Sequence, residues 1–205
     1  AISQKLLACE PVELEIPRRM RKAVIAYDEA QQEALLAAAR ELGPSFEMLV
    51  LLGMDGGLRR GEIVGLQWSD IDLGRGLLVV RHNIVRGKLD VPKGRSEDEV
   101  ALTRRLTAAL QAYRHNEGLF VLTNKHGGHF SEQDTKAWME KIIRRADLPW
   151  HGTHVLRKTC GTRIADGGGG VAAVAAHLRH KDLQTASRYI DRRGAASRAL
   201  KALES

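Results

Sequence analysis

Four segments of this 205-residue chain bring together arginine, lysine, histidine and tyrosine. The first is Gly57-Leu58-Arg59-Arg60-Gly61-Glu62, followed by Leu66, Trp68, Asp70 and Asp72. The second is Lys93, the third His154-Val155-Leu156-Arg157, and the fourth Leu178-Arg179-His180, with Tyr189 beyond it. These residue types suit one kind of chemistry. Attack on a phosphodiester loads negative charge onto the non-bridging oxygens. A planar guanidinium grips two such oxygens at once, so a pair of arginines can do what metal ions do in many nucleases. A tyrosine hydroxyl, with an unperturbed pKa of about 10, becomes a nucleophile once its proton is taken or its anion stabilised, and nearby histidines and cations supply that help. The 5′ oxygen is a poor leaving group unless protonated, a task that suits a lysine on a turn. The ester energy stays in the protein link, so rejoining needs no nucleotide, and the sequence contains no P-loop.

Helices and a small sheet must hold these residues. Asp28 caps a helix running to Leu42, which Gly43-Pro44 ends. A second, apolar helix runs from Ser45 to about Met54, and a third, short one from Leu58 to about Leu66. The period then changes to that of strands: Leu77–Val80, a run around Val85 to Val91, a turn at Lys93-Gly94-Arg95-Ser96, and Glu99–Leu102. These three runs predict a three-stranded antiparallel sheet. Helix resumes at Thr103–His115 and again from Ser131, where Ser131-x-x-Asp134 has the form of a capping box. The remainder is helical, interrupted by Gly167–Gly170. The expected fold class is mainly α with a small three-stranded antiparallel sheet (α+β). Tyr27, Tyr113, Trp68 and Trp138 are expected in the core.

In that order and at those spacings, the four segments resemble the catalytic domain of the tyrosine recombinases, the phage integrase family, over about residues 28 to 205. The resemblance implies that Arg59 and Arg157 bind the phosphate, that Lys93 is the lysine of the sheet turn, and that His154 and His180 flank the phosphate. It implies that Tyr189 is the nucleophile and that Glu62 supports Arg59 without doing chemistry itself. Lys88 competes with Lys93, which is preferred because its place before the third strand fits the family. The chain departs from the family at Lys158, often histidine, at Arg179, commonly glycine where a helix ends in a left-handed turn, at Asp98, often basic, and in the glycine run 167–170.

The resemblance further implies cleavage and rejoining of DNA strands through a 3′-phosphotyrosine and a free 5′-hydroxyl, by four protomers assembled on two duplexes. Two alternatives share its features: a type IB topoisomerase-like enzyme that relaxes DNA, and a DNA-binding regulator that no longer cleaves. Residues 1–22 read as an interdomain linker remnant, 23–190 as the catalytic domain, and 191–205 as a tail helix exchanged between protomers, with Ala195, Ala199, Leu200 and Leu203 at helical spacing.

Charge agrees with a nucleic-acid partner. Of 32 Lys+Arg and 25 Asp+Glu, ten basic and four acidic residues fall in 151–205. No apolar run reaches the roughly 18 residues that span a bilayer, no secretory leader is evident, and Cys9 and Cys160 form no C-x-x-C pair. These features fit a cytoplasmic, nucleoid-associated protein. Three H-x-x-H pairs (His126/His129, His151/His154, His177/His180) raise the question of zinc, but none is H-E-x-x-H and no cysteine accompanies them at ligand spacing. No cofactor or metal is expected.

Overall fold

A computed structural model describes residues 24–90, 98–114, 118–124 and 126–190. The linker 1–22, the turn carrying Lys93 and the tail 191–205 therefore lie outside the described residues.

Helix α1 (Glu29–Leu42) starts at Asp28, whose carboxylate accepts the Gln31 N–H while the Gln31 side chain accepts the Asp28 N–H. This reciprocal cap stabilises the first turn by about 1 kcal/mol. The helix stops at Gly43, whose φ of 130° is open to glycine alone. Pro44 then begins α2 (Pro44–Met54), tolerated because the first helical residue has no intrahelical acceptor for an N–H. Every residue from Met48 to Met54 is buried. A helix apolar on all sides must run through the interior, and α2 packs against α1, α4 (Arg104–Tyr113), α5 (Glu132–Arg145) and α6 (Val155–Asp166). Thr103 caps α4, and Ser131 and Asp134 form the expected capping box of α5.

The sheet has three antiparallel strands, as expected, but different members. β1 (Ile71–Asp72) pairs with β2 (Leu77–Val80), and β2 pairs with β5 (Asp98–Ala101), Leu78 lying opposite Val100. The run around Val85 instead forms a separate hairpin of β3 (Asn83–Val85) and β4 (Lys88–Asp90). Its two-residue turn places Arg86 and Gly87 at φ 51° and 74°, the left-handed pair a tight hairpin needs to match strand twist. Having closed on itself, the hairpin does not join the larger sheet.

Two apolar cores result. The larger unites α1, α2, α3 (Arg60–Gly65), α4, α5, the sheet and the start of α6. The smaller consists of Cys160, Ala165, Val174, Ala175, Leu178 and Ala186, with Tyr189 and Ile190 packed on it. It joins the end of α6 to α7 (Val171–Leu178), α8 (Leu183–Ala186) and the 3-10 turn Ser187–Tyr189. Buried Asp55, at the end of α2, connects the two cores. Its carboxylate accepts Thr103 Oγ1, Arg105 Nε and Nη2, and Arg163 Nη1, while its carbonyl lies 3.0 Å from His177 Nε2. Burial alone would raise the Asp55 pKa, and the two arginines hold it below the usual carboxylate range. No helix among the described residues is long and apolar enough to cross a membrane.

Candidate active site

Arg157 forms the floor of the site. It lies on the first turns of α6 and is 4 % exposed. Its Nη1 donates to the Gly57 carbonyl at 2.5 Å and its Nη2 to the Leu178 carbonyl. Gly57 reaches this position because its φ of 59° is left-handed and because a Cβ there would lie 2.6 Å from Leu178 Cδ2. The turn after α2 and the end of α7 therefore close together around one guanidinium. Among the described residues no carboxylate lies within ion-pair distance of Arg157. Burial, then the charge of Arg59, lowers its pKa to about 10, so it remains charged at neutral pH.

Arg59 precedes α3 (Arg60–Gly65) with its side chain 43 % exposed. Glu62, one turn on and 7 % exposed, takes the Arg59 backbone N–H on Oε2 and Arg59 Nη1 on Oε1, both at 2.7 Å. One N–H at the start of α3 is thus already occupied by a carboxylate of the chain itself. The neighbouring Arg60 turns away, to Glu132 on α5.

His154 precedes α6 and stays exposed. The covering it does have, followed by the charges of Arg157 and Arg59, lowers its pKa. His180 follows the left-handed residue that ends α7, its ring stacked on that of Tyr189 with centroids 6.0 Å apart. Its Nδ1 is buried without a partner among the described residues. Burial, then Arg157, Arg59 and Arg179, pushes its pKa down to about 4, leaving a neutral imidazole at pH 7.

Tyr189 ends the last described 3-10 turn, half-buried against α6. A Cβ on Gly161 would lie 2.7 Å from its ring, so this helical glycine makes the space the tyrosine uses. Burial raises the hydroxyl's pKa, while Arg157, Arg188 and Arg59 act in the opposite direction. The structure therefore brings Arg59, Glu62, His154, Arg157, His180 and Tyr189 together, and Lys93 is the one expected member outside the described residues. The other histidines disperse: His129 Nδ1 is at the Phe130 carbonyl, His151 beside Tyr27, and His177 at the Asp55 carbonyl.

The sequence marks Arg179 as a departure and Gly57 as the start of the first motif, but gives no sign of the Arg179–Glu62 pair or of Gly161. An arginine closing an apolar helix is the available signal for the first. Gly161 gives none, because its use depends on Leu178 and Tyr189 arriving from farther along the chain.

Residues 26–195 match the family described as "Phage integrase family". The chain belongs to the phage integrase family. Tyrosine recombinase XerC of Xanthomonas campestris pv. campestris is 27% identical over 183 residues, covering 86% of this chain and 54% of the relative. XerC of Oceanobacillus iheyensis is 27% identical over 160 residues, covering 72% and 49%. The chain spans about half the length of these curated relatives. Among solved structures, the Tn1549 transposon integrase in complex with circular intermediate DNA superposes with a TM-score of 0.77 at 18% identity, covering 89% of this chain and 68% of that one. XerA recombinase does so at 0.73 and 21%, covering 95% and 68%. The integrase-family fold is thus shared well beyond recognisable sequence identity.

Proposed function

We propose that this chain supplies the catalytic domain of a site-specific DNA recombinase or integrase, with residues 23–190 as that domain and Tyr189 as the nucleophile. One observation carries the reading: a buried guanidinium, Arg157, is held by two carbonyls with no carboxylate partner among the described residues, beside a half-buried tyrosine. Leaving a buried charge without a counter-ion costs several kcal/mol. A site that keeps one is prepared for an anion. Two of the five N–H donors of Arg157 are occupied, which leaves the others for the oxygens of a phosphate. Arg59, anchored yet exposed, offers a second guanidinium to the same group.

In this reading the two arginines stabilise the charge that develops as Tyr189 Oη attacks phosphorus. Removing one such donor typically costs about 10²–10³ in rate. Once the phosphate is bound, its negative charge raises the basicity of the neutral His180, which accepts the tyrosine proton, and His154 faces the phosphate from the other side. As the new P–O bond forms, the P–O5′ bond breaks, its electron pair goes to O5′, and Lys93 protonates that oxygen. The products are a 3′-phosphotyrosine and a free 5′-hydroxyl, and reversing the step on a different 5′-hydroxyl exchanges strands. Double-stranded DNA is the partner, in keeping with the circular intermediate DNA in the Tn1549 integrase complex, with four protomers in the synapse. The site of action is the cytoplasmic DNA.

The test uses a duplex that the protein selects from a random-sequence pool, nicked so that the cleaved end diffuses away. The wild-type chain is expected to form a denaturation-resistant adduct, and Tyr189→Phe to bind the same duplex without one. An adduct from Tyr189→Phe contradicts the assignment.

A further inference from the structure

The turn between α7 and His180 is closed by a residue of a type that does not favour it. Arg179 has φ 53° and ψ 48°, a conformation that glycine adopts without steric cost and other residues rarely enter. Its side chain is 3 % exposed. Its Nη2 donates to Glu62 Oε2 at 2.5 Å and its Nη1 to the His177 carbonyl at 3.3 Å, while Nε is buried without a partner among the described residues. The backbone alone asks for glycine here, so the guanidinium must offset the strain of the turn and the loss of water.

We propose that Arg179 is a positioning residue for the cleavage centre: through Glu62 it fixes the direction of Arg59 and ties that direction to the turn carrying His180. The inference rests on the strand-transfer reading above. Unlike Arg157, the buried Arg179 guanidinium already has a carboxylate counter-ion, so its charge is engaged by Glu62 rather than offered to a DNA phosphate. Glu62 can transmit its effect, because both carboxylate oxygens are engaged: Oε1 by Arg59 Nη1, and Oε2 by the Arg59 amide and by Arg179. With three donors on two oxygens the carboxylate has one orientation. Without Arg179, Oε2 keeps only the amide, and the exposed Arg59 side chain hangs from a carboxylate held at one fixed point instead of two.

The charges support the geometry. Burial alone would raise the pKa of Glu62; Arg179 first, then Arg59, holds it below the usual range. The charged or titratable groups around this pair are Arg59 ahead of α3, Arg157 and Cys160 on α6, His177 on α7, His180 after it, and Asp98 on β5, which acts on Arg179. Loss of Arg179 moves Glu62 protonation to higher pH, so Arg59 is released earlier as pH falls.

The experiment follows single-turnover adduct formation by the whole chain on the nicked, pool-selected duplex. It compares wild type with Arg179→Gly, which suits the left-handed turn, Arg179→Lys, Glu62→Gln, and the Arg179→Gly/Glu62→Gln double variant. The glycine variant is expected to keep its Tm and DNA affinity and to form the adduct between about tenfold and a hundredfold more slowly, with the acid limb of its pH–rate profile moved toward neutrality. Lysine should restore part of the rate, and the double variant should be no slower than Glu62→Gln alone. A glycine variant with wild-type rate and pH profile, or two losses that multiply, overturns the proposal. If wild type forms no adduct on any selected duplex, the strand-transfer reading has failed, and the coupling is read without DNA from hydrogen exchange at the Arg59 amide. Faster exchange in Arg179→Gly than in Arg179→Lys supports it, and equal exchange in all three proteins overturns it.

Discussion

A neutral histidine among three arginines is the sharpest consequence of this site at the scale of single residues. His180 has its pKa lowered from 6.5 to about 4, chiefly by burial. The unfolded chain therefore binds a proton that the folded chain refuses. This contribution to stability is fully present above pH 6.5 and is lost as pH falls through about 4. A Tm measured across that window should fall, and His180→Gln should fall less steeply; equal slopes would mean that the imidazole is not neutral in the fold. The residues proposed to do chemistry are legible in the sequence because their types and order are specific: an arginine after Gly57-Leu58, an H-x-L-R, and a histidine with a tyrosine beyond it. Their partners are less so. Glu62 was expected to support Arg59, and the geometry agrees, but its second arginine comes from the far end of α7.

Between elements, the tyrosine depends on a small core. Tyr189, Ile190 and Ala186 rest on Leu178, Val174 and Cys160, and the close approach is made at Gly161. An alanine at Gly161 would gain about 1 kcal/mol of helix propensity and lose about 1–3 kcal/mol to overpacking against the Tyr189 ring. Because that ring sits on a 3-10 turn of three residues, it can yield more cheaply than the twelve-residue α6 can. Gly161→Ala should therefore change Tm little, keep DNA affinity, and slow adduct formation at least about tenfold; an unchanged rate would show that the ring is not held by this contact. Helices were legible here because caps and apolar periods are local: Asp28, Thr103 and Ser131 each start one. The sheet was only partly so. The run at Val85 reads as a strand, yet the left-handed pair Arg86-Gly87 turns it back on Lys88–Asp90 rather than onto β2. The short β1, two residues long, carries too little pattern to be seen.

For the whole molecule, the net charge of +7 is a weak guide, since it does not separate a binder from an enzyme. What matters is that Arg59 and Arg179 share the Glu62 carboxylate while Arg157, close by, has none among the described residues, so the surplus positive charge is concentrated where a phosphate can enter. Affinity for duplex DNA should accordingly fall linearly with the logarithm of salt concentration, with a slope of about −0.9 for each phosphate contacted. Sedimentation with the selected duplex should give a protein tetramer on two duplexes; a single protomer per duplex would favour the strand-relaxing alternative. The central claim concerns one bond. Protease digestion and mass mapping of the adduct should place a 3′-phosphonucleotide on the peptide containing Tyr189 and leave a 5′-hydroxyl on the released strand. Attachment at any other residue, or a 5′-phosphate on that strand, would contradict the account.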